Sequence, residues 1–283
     1  MLTVINALKL ATDYFEKKGI QSARTNAEIL LAHILNCKRL DLYLRFDQPL
    51  SENEVNLYRE FIARRGKYEP VQYILGFTEF YGLHLNVNPS VLIPRPETEI
   101  LVETILNELS TKENVKILDI GCGSGNISIA LGKNLPNCEI TALDISKDAL
   151  QVAQKNATKN NVTNINFVEG DIILNGILDN HKFDVIVSNP PYVSINEYTT
   201  LQNEITKYEP KEAVTDDADG LKFFKRISEF SMNKLNDGGS LFFEIGMGQS
   251  KNVSLIMSEN GFEEIKIVKD YQQIDRVIYG IKR

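Results

Sequence analysis

Between residues 5 and 62 the apolar positions recur every three or four places. Ile5, Leu8 and Tyr14 form one series, Ala27, Leu30, Leu31 and Ile34 a second, and Val55, Tyr58, Phe61 and Ile62 a third. This is the spacing of helices that bury one face. Ser22 and Thr25 are placed to cap the second helix, and Ser51 with Glu54 three residues on has the form of a capping box. Strand signals are scarce, so residues 1–75 are expected to form a small helical bundle. From Phe77 the texture changes. The run FYGLHLNVNPSVLIPRP alternates apolar and polar positions and carries Gly and Pro, which predicts a β-hairpin-like connector over 76–95.

Beyond it, over 96–283, short apolar runs alternate with helical patterns. Helices are predicted at 98–109, 126–134, 147–160, 221–235 and 251–260. Strands are predicted at 115–120, 139–144, 165–171, 183–189, 239–245, 264–270 and 275–282. Near-continuous apolar strands separated by helices describe a mostly parallel sheet covered on both faces. The last two strands have no room between them for a crossover and must run antiparallel. The fold class is therefore α/β, a Rossmann-like sheet with an antiparallel last strand, preceded by the helical bundle and the connector. Residues 194–219 show no clear period, and a long irregular stretch in a compact domain is usually functional or mobile.

Composition narrows the function classes. The 283 residues are 43% hydrophobic and 24% charged, the balance of a globular protein with a substantial core. No apolar run approaches bilayer-spanning length, and the first residues lack the features of a secretory signal. Three cysteines do not make a disulfide framework and fit a reducing cytosol; no Cys/His group has zinc-ligand spacing. The net charge is −7 and is uneven: residues 1–85 hold 11 Lys+Arg against 10 Asp+Glu, the remainder 20 against 28. An acidic C-terminal region argues against gripping a nucleic-acid backbone there.

The run LDIGCGSGNISIAL places Gly121, Gly123 and Gly125 between a strand and a helix. Glycines allow a tight turn and let a ligand approach bare backbone. The spacing is G-x-G-x-G, not the G-x-G-x-x-G of dinucleotide sites. With Asp119 before it, this loop resembles the first motif of S-adenosylmethionine-dependent methyltransferases, which implies that Asp119, Gly121, Cys122, Gly123, Ser124 and Gly125 surround that cofactor. Cys122 suits space filling better than nucleophilic chemistry. Asp144 ends the next strand, where an acid accepts both hydroxyls of a ribose, and Ser146 caps the following helix in its place. Ile145 follows Asp144. Asp171 ends the third strand, where its carboxylate suits an adenine amino group, with Ile172 covering the ring. The bland alternatives are a ligand-free turn at the glycines and a loop acid at Asp171.

The fourth strand runs into Asn189-Pro190-Pro191-Tyr192. Two prolines fix the backbone and remove two N–H donors. For a substrate with a planar NH₂ group, the Asn189 side-chain oxygen can accept one N–H and the Pro190 carbonyl the other, while Tyr192 stacks on the planar group. The alternative is a stiff loop with a packed tyrosine. Placed after the fourth strand of such a sheet, the motif favours amino-group methylation by positioning and electrostatics.

GCGSG, Asp144 and NPPY together resemble the amino-methyltransferases. PVQYILGFTEFYG (70–82), LIPRPETEILVE (92–103), YEP (208–210) and DRVIYG (275–280) narrow the resemblance to the HemK/PrmC family, over almost the whole chain. That resemblance implies transfer of a methyl group from S-adenosyl-L-methionine, with S-adenosyl-L-homocysteine as product, to the glutamine of the Gly-Gly-Gln loop of class I peptide chain release factors. It further implies a helical domain that contacts the release factor, with no direct nucleic-acid or membrane binding. Arg95, Pro96, Glu97 and Glu99 either shape the site wall or make an interdomain salt bridge and a helix cap. Methylation of a ribosomal-protein glutamine or a nucleic-acid base, and a non-catalytic binding module, are the competing classes.

Overall fold

The structure is a computed structural model that describes residues 1–174 and 176–283. The chain forms two compact units, Met1–Phe77 with Gln202–Tyr208, and Thr78–Leu201 with Glu209–Arg283.

The first unit is helical: α1 (Val4–Lys17), α2 (Ala23–Ile34), α3 (Asp41–Leu44), α4 (Glu52–Arg65) and α5 (Val71–Leu75). Val4, Ala7, Leu8, Ala11 and Phe15 put one stripe of α1 into the core, where Ala27, Leu30, Leu31, Tyr58 and Phe61 meet it. Ser51 and Glu54 form the expected reciprocal capping box. The second helix starts differently from expectation. Ser22 precedes it at φ 51° without a side-chain cap, and Thr25 lies inside the first turn. The start is tied instead by Asn26, whose Nδ2 donates back to the carbonyls of Gln21 and Ser22.

In chain order there follow β1 (Phe77–Phe80), β2 (Leu83–Asn86), α6 (Thr98–Glu108), β3 (Lys116–Ile120), α7 (Asn126–Asn134), β4 (Glu139–Asp144), α8 (Lys147–Lys159), β5 (Ile165–Glu169), β6 (Phe183–Ser188), α9 (Ile195–Tyr198), α10 (Asn203–Tyr208), a 3₁₀ turn at Lys211–Ala213, α11 (Lys222–Lys234), β7 (Leu235–Glu244), α12 (Ser250–Glu259), β8 (Phe262–Lys269) and β9 (Asp275–Lys282). The hairpin β1–β2 is the expected connector. The other seven strands form one sheet in the order β5-β4-β3-β6-β7-β9-β8. The neighbours from β5 through β7 are parallel, and β9 is antiparallel to both β7 and β8. Two apolar clusters flank the sheet. One holds Leu101, Ile105, Ile117 and Ile129, the other Leu118, Ile186, Phe224 and Phe243. Alternate residues of β3 thus enter opposite layers, which is why its sequence reads as continuously apolar.

The expectation of an unbroken unit over 96–283 fails at 202–208. That segment belongs to the helical unit, where Glu204 pairs with the buried Arg65 and the Tyr208 hydroxyl donates to the Lys67 carbonyl at 3.0 Å. A buried guanidinium requires a carboxylate partner, and α10 carries it.

Candidate active site

The turn from β3 to α7 is closed by two carboxylates. Gly121, Gly123 and Gly125 all have positive φ, and a Cβ on Gly125 would stand 3.0 Å from Ile129 Cδ1 and 3.1 Å from Ala153 Cβ. Gly125 therefore fits where no larger residue does, but as the residue before α7 it has no side chain to cap the helix. Asp119 does that work. It is fully buried, and its Oδ2 accepts both the Ser128 N–H (3.1 Å) and the Ser128 hydroxyl. Burial pushes its pKa up to about 7 against the pull of those two bonds. Asp144 accepts the Gly123 N–H at 2.8 Å through Oδ2 and the Ser146 N–H at 2.9 Å through Oδ1. The Ser146 hydroxyl accepts from Ala149 N–H as the expected cap. Asp144 is thus held as well as exposed to ligand, with lone pairs left over; its pKa is raised by burial.

A cavity of about 230 Å³ opens over these strand ends. Of the residues expected from the sequence, Gly121, Gly123, Asp144, Ile145, Asp171, Ile172, Asn189, Pro190 and Pro191 line it. Ile145 is exposed at its rim and Ile172 is buried. Asp171 holds its own turn by accepting the Ile173 N–H at 2.8 Å. Asp119, Cys122, Ser124, Gly125 and Tyr192 are not among the lining residues. Cys122 packs with Ala142, Leu150 and Ala153, and burial raises its thiol pKa. Ser124 is buried and its carbonyl accepts from Asn156 Nδ2 at 3.0 Å. These residues shape the turn from behind. The acids around the cavity suit a cationic ligand, and Leu143, Ile172, Phe223 and Ile227 offer apolar wall for a flat ring.

At the end of β6, Asn189 Nδ2 donates to Thr98 Oγ1 at 3.2 Å. The Tyr192 ring packs on the core cluster beside β7 and does not stack in the cavity; its hydroxyl donates to Glu244 Oε1 at 3.2 Å. Gln249 Nε2 holds the Tyr192 carbonyl at 3.0 Å, so the loop is pinned on both sides of its ring. Glu244 is 1% exposed, and its Oε2 has no hydrogen-bond partner among the described residues. Burial pushes the Glu244 pKa up to about 6, while the Thr98 and Tyr192 hydroxyls and Arg276 favour its charged form. Burial and the facing Glu244 push the Tyr192 pKa up, keeping the phenol a donor.

The upstream motif has a structural account of its own. Glu209 is buried, and its two oxygens accept Arg95 Nη2 at 2.6 Å and the Ile93 N–H at 3.2 Å. Ser90, Val91 and Leu92 on one side and Pro210, Glu212 and Ala213 on the other line the cavity. Arg95 and Glu209 therefore fasten two pieces of one wall. Glu99 accepts the Tyr81 N–H at 2.7 Å, tying α6 to the β1–β2 turn, and Glu97 makes no side-chain cap. Sequence reasoning overlooked Thr98, Glu212 and Glu244. Thr98 lies inside PRPETE, among charged neighbours that draw the eye; Glu244 reads as one polar residue in an apolar strand.

Comparison with known proteins identifies the family. Residues 6–76 match the family model for the PrmC N-terminal domain, and residues 111–235 that for a methyltransferase domain. A release factor glutamine methyltransferase of Fusobacterium nucleatum is 42% identical over 96% of this chain and 77% of its own. One from Rhodopirellula baltica is 39% identical over 98% of this chain and 95% of its own. Among solved structures, a methyltransferase from Pyrococcus furiosus superposes with a TM-score of 0.52 at 22% identity, covering 71% of this chain and 89% of that one, a likeness of fold. With such identity across nearly its whole length, the chain belongs to the release factor glutamine methyltransferase family.

Proposed function

We propose that the chain transfers a methyl group from S-adenosyl-L-methionine to the side-chain amide nitrogen of the glutamine in the Gly-Gly-Gln motif of class I peptide chain release factors, in support of translation termination. The observation that carries this reading is that Asn189 and Pro190 line the same cavity as Gly123, Asp144 and Asp171. An amide-holding pair and a nucleoside-binding set of strand ends thus share one space.

Gly121, Gly123 and Asp144 hold the cofactor, Asp144 through the lone pairs its backbone bonds leave free, with Asp171 and Ile172 at the base. When bound, S-adenosylmethionine supplies an electrophilic methyl group on a sulfonium centre. Asn189 and Pro190 then supply two fixed acceptors for the two protons of the substrate amide. An amide nitrogen is a weak nucleophile because its lone pair is delocalised into the carbonyl. Drawing both N–H bonds toward acceptors raises electron density on nitrogen, and the rigid Pro190-Pro191 pair keeps the Pro190 carbonyl in place without reorganisation. The amide nitrogen gives up one of its two protons as it takes the methyl group, and S-adenosyl-L-homocysteine is the other product.

The test is methyl transfer from labelled S-adenosylmethionine to a class I release factor, to the same factor with Gln→Ala in its tripeptide loop, and to duplex DNA or ribosomal RNA. Label is expected in the unaltered factor alone. Label in nucleic acid, or equal label in the Gln→Ala factor, rejects the reading.

A further inference from the structure

The stiffness of Asn189-Pro190-Pro191 solves half of a positioning problem. Each proline fixes its own φ and keeps the residue before it extended, here Asn189 and Pro190. A segment that stiff does not bend to absorb a shift. It carries a shift at either end through to the Pro190 carbonyl. The upstream end is fixed by β6, which pairs with β3 and β7 as far as Ser188, and the Ser188 hydroxyl donates to the Ile120 carbonyl at 2.8 Å. The downstream end is Tyr192, which lies beyond the strands of the sheet and needs an anchor of its own.

We propose that Gln249 is a positioning residue that anchors this downstream end to the end of β7, and so holds the Pro190 carbonyl and Asn189 in register with the cofactor. The inference rests on the reading of Asn189 and Pro190 as the acceptors of a substrate amide. Gln249 Oε1 accepts the Gly246 N–H at 2.8 Å; Nε2 donates to the Tyr192 carbonyl at 3.0 Å and to the Gly220 carbonyl at 3.2 Å. The oxygen and both amide protons are thereby engaged. The partners also fix which way the carboxamide faces: turned over, it would set its oxygen against two carbonyl oxygens and its NH₂ against an N–H. The base of the side chain is firm. Gln249 directly precedes α12, its carbonyl accepts the Val253 N–H at 3.0 Å, and Val253 and Met257 are fully buried. The Tyr192 hydroxyl, bonded to Glu244, holds the ring; the Tyr192 carbonyl, on the backbone that continues from Pro191, is held by Gln249.

Two glycines make room for this junction. Gly220 has φ 81°, and a Cβ there would overlap the Tyr192 carbonyl oxygen; a Cβ on Gly246 would stand 2.9 Å from Gln249 Oε1 and 3.1 Å from Tyr192 Cδ2. The segment that shares Gln249 with Tyr192 is itself braced. Asp216 is buried and accepts the N–H groups of Ala218 (2.8 Å), Gly220 (3.0 Å) and Lys222 (3.0 Å). The N–H groups of Val193 and Ile195 donate to the carbonyls of Val214 and Ala218, each at 3.1 Å. The two segments thus bind each other, and Gln249 binds both to Gly246, two residues past β7. Gln249→Glu keeps the length of the side chain and an oxygen for the Gly246 N–H, but turns the donor to Tyr192 and Gly220 into an acceptor facing two carbonyl oxygens. Gln249→Met keeps a similar length and removes all three bonds.

Release-factor methylation at saturating factor and cofactor, cofactor affinity by calorimetry and thermal unfolding are measured for wild type, these two variants and Asn189→Ala. Both Gln249 variants are expected to lower kcat roughly 10- to 100-fold, the effect of moving a reacting group by about 1 Å, with Gln249→Glu falling at least as far as Gln249→Met. Their cofactor Kd stays close to wild type, and both remain folded at the assay temperature. Full kcat in Gln249→Glu, or a cofactor Kd that weakens in step with kcat, overturns the anchor. Loss of the folded state in both variants overturns it too, since Gln249 would then serve stability in general. Full activity in Asn189→Ala, or no transfer to the release factor by wild type, overturns the reading on which the anchor rests. A dead Asn189→Ala beside a fully active Gln249→Glu removes the anchor alone.

Discussion

The two ends of the site, both at the C-terminal ends of the sheet's parallel strands, are held by different means. Where β3 and β4 end, the carboxylates of the turn are fixed by backbone amides. Asp144 takes the N–H of Ser146, two residues on, and of Gly123, 21 residues back; Asp119 takes the N–H of Ser128, nine residues on. Where β6 and β7 end, side chains hold side chains across long stretches: Asn189 with Thr98 at a separation of 91 residues, Tyr192 with Glu244 at 52. The first construction needs the main chain to follow one path and is rigid once the turn forms. The second needs separately placed side chains to agree on the direction of each proton. A nucleoside with fixed hydroxyls suits the first. The second stands where the proposed reaction demands a single orientation of an amide.

The largest effect expected from breaking this contrast is at Asn189. Asn189→Ala should lower methyl transfer roughly 100- to 1000-fold, as loss of a fixed charge-stabilising group does, and calorimetry should find cofactor affinity within a few-fold of wild type. A parallel loss of affinity would mean that the two ends are one construction and that Asn189 chiefly serves the cofactor.

Asp144→Ala attacks the other end and should give the opposite split. It removes a carboxylate that accepts two backbone amides and, in the proposed complex, ribose hydroxyls. Cofactor affinity should fall roughly 10- to 100-fold, while kcat at saturating cofactor recovers most of its value. Unchanged affinity would reject the ribose role.

The same contrast decides what the sequence discloses. The strands and helices from Lys116 to Lys159 follow from their apolar patterns because each buries a continuous stripe, and the glycine loop is visible because local backbone geometry demands particular residues. Residues 194–219 show no period for a matching reason. Neither α9, α10 nor the 3₁₀ turn has a buried residue. They are set by the Ser194–Glu197 capping box and by ion pairs such as Arg65–Glu204 and Arg95–Glu209. Pairings of that kind leave no trace in hydrophobic spacing. Asn189 was legible as a candidate because Pro-Pro beside it is rare chemistry. Thr98 and Glu244 were not, because their importance lies in what they touch, and the contacts join α6, the end of β6 and β7. Tyr192 shows the limit from the other side: an aromatic in a motif suggests stacking, yet here its ring joins the core and its hydroxyl serves Glu244.

The smallest effect sharpens the boundary of the cofactor end. Asp119 belongs to the glycine motif but does not line the cavity, so Asp119→Asn should leave cofactor affinity nearly unchanged. A loss as large as that of Asp144→Ala would place Asp119 in direct contact with the cofactor. The substitution should act on stability instead. In the folded chain Asp119 keeps its proton up to about pH 7 because burial opposes its charge; in the unfolded chain it ionises near pH 4 (about 3.9). The folded state therefore binds the proton more tightly. The stability linked to it is fully present below about pH 4 and is lost as pH rises from there to about 7. Asparagine does not titrate, and its carbonyl oxygen can accept both Ser128 bonds, which converge on a single oxygen in the wild type. Unfolding midpoints recorded without ligand across this range should show the difference, variant minus wild type, rising with pH and levelling above about 7. A flat difference would mean that Asp119 is ionised throughout, and that the helix start at Ser128 is held by a charge.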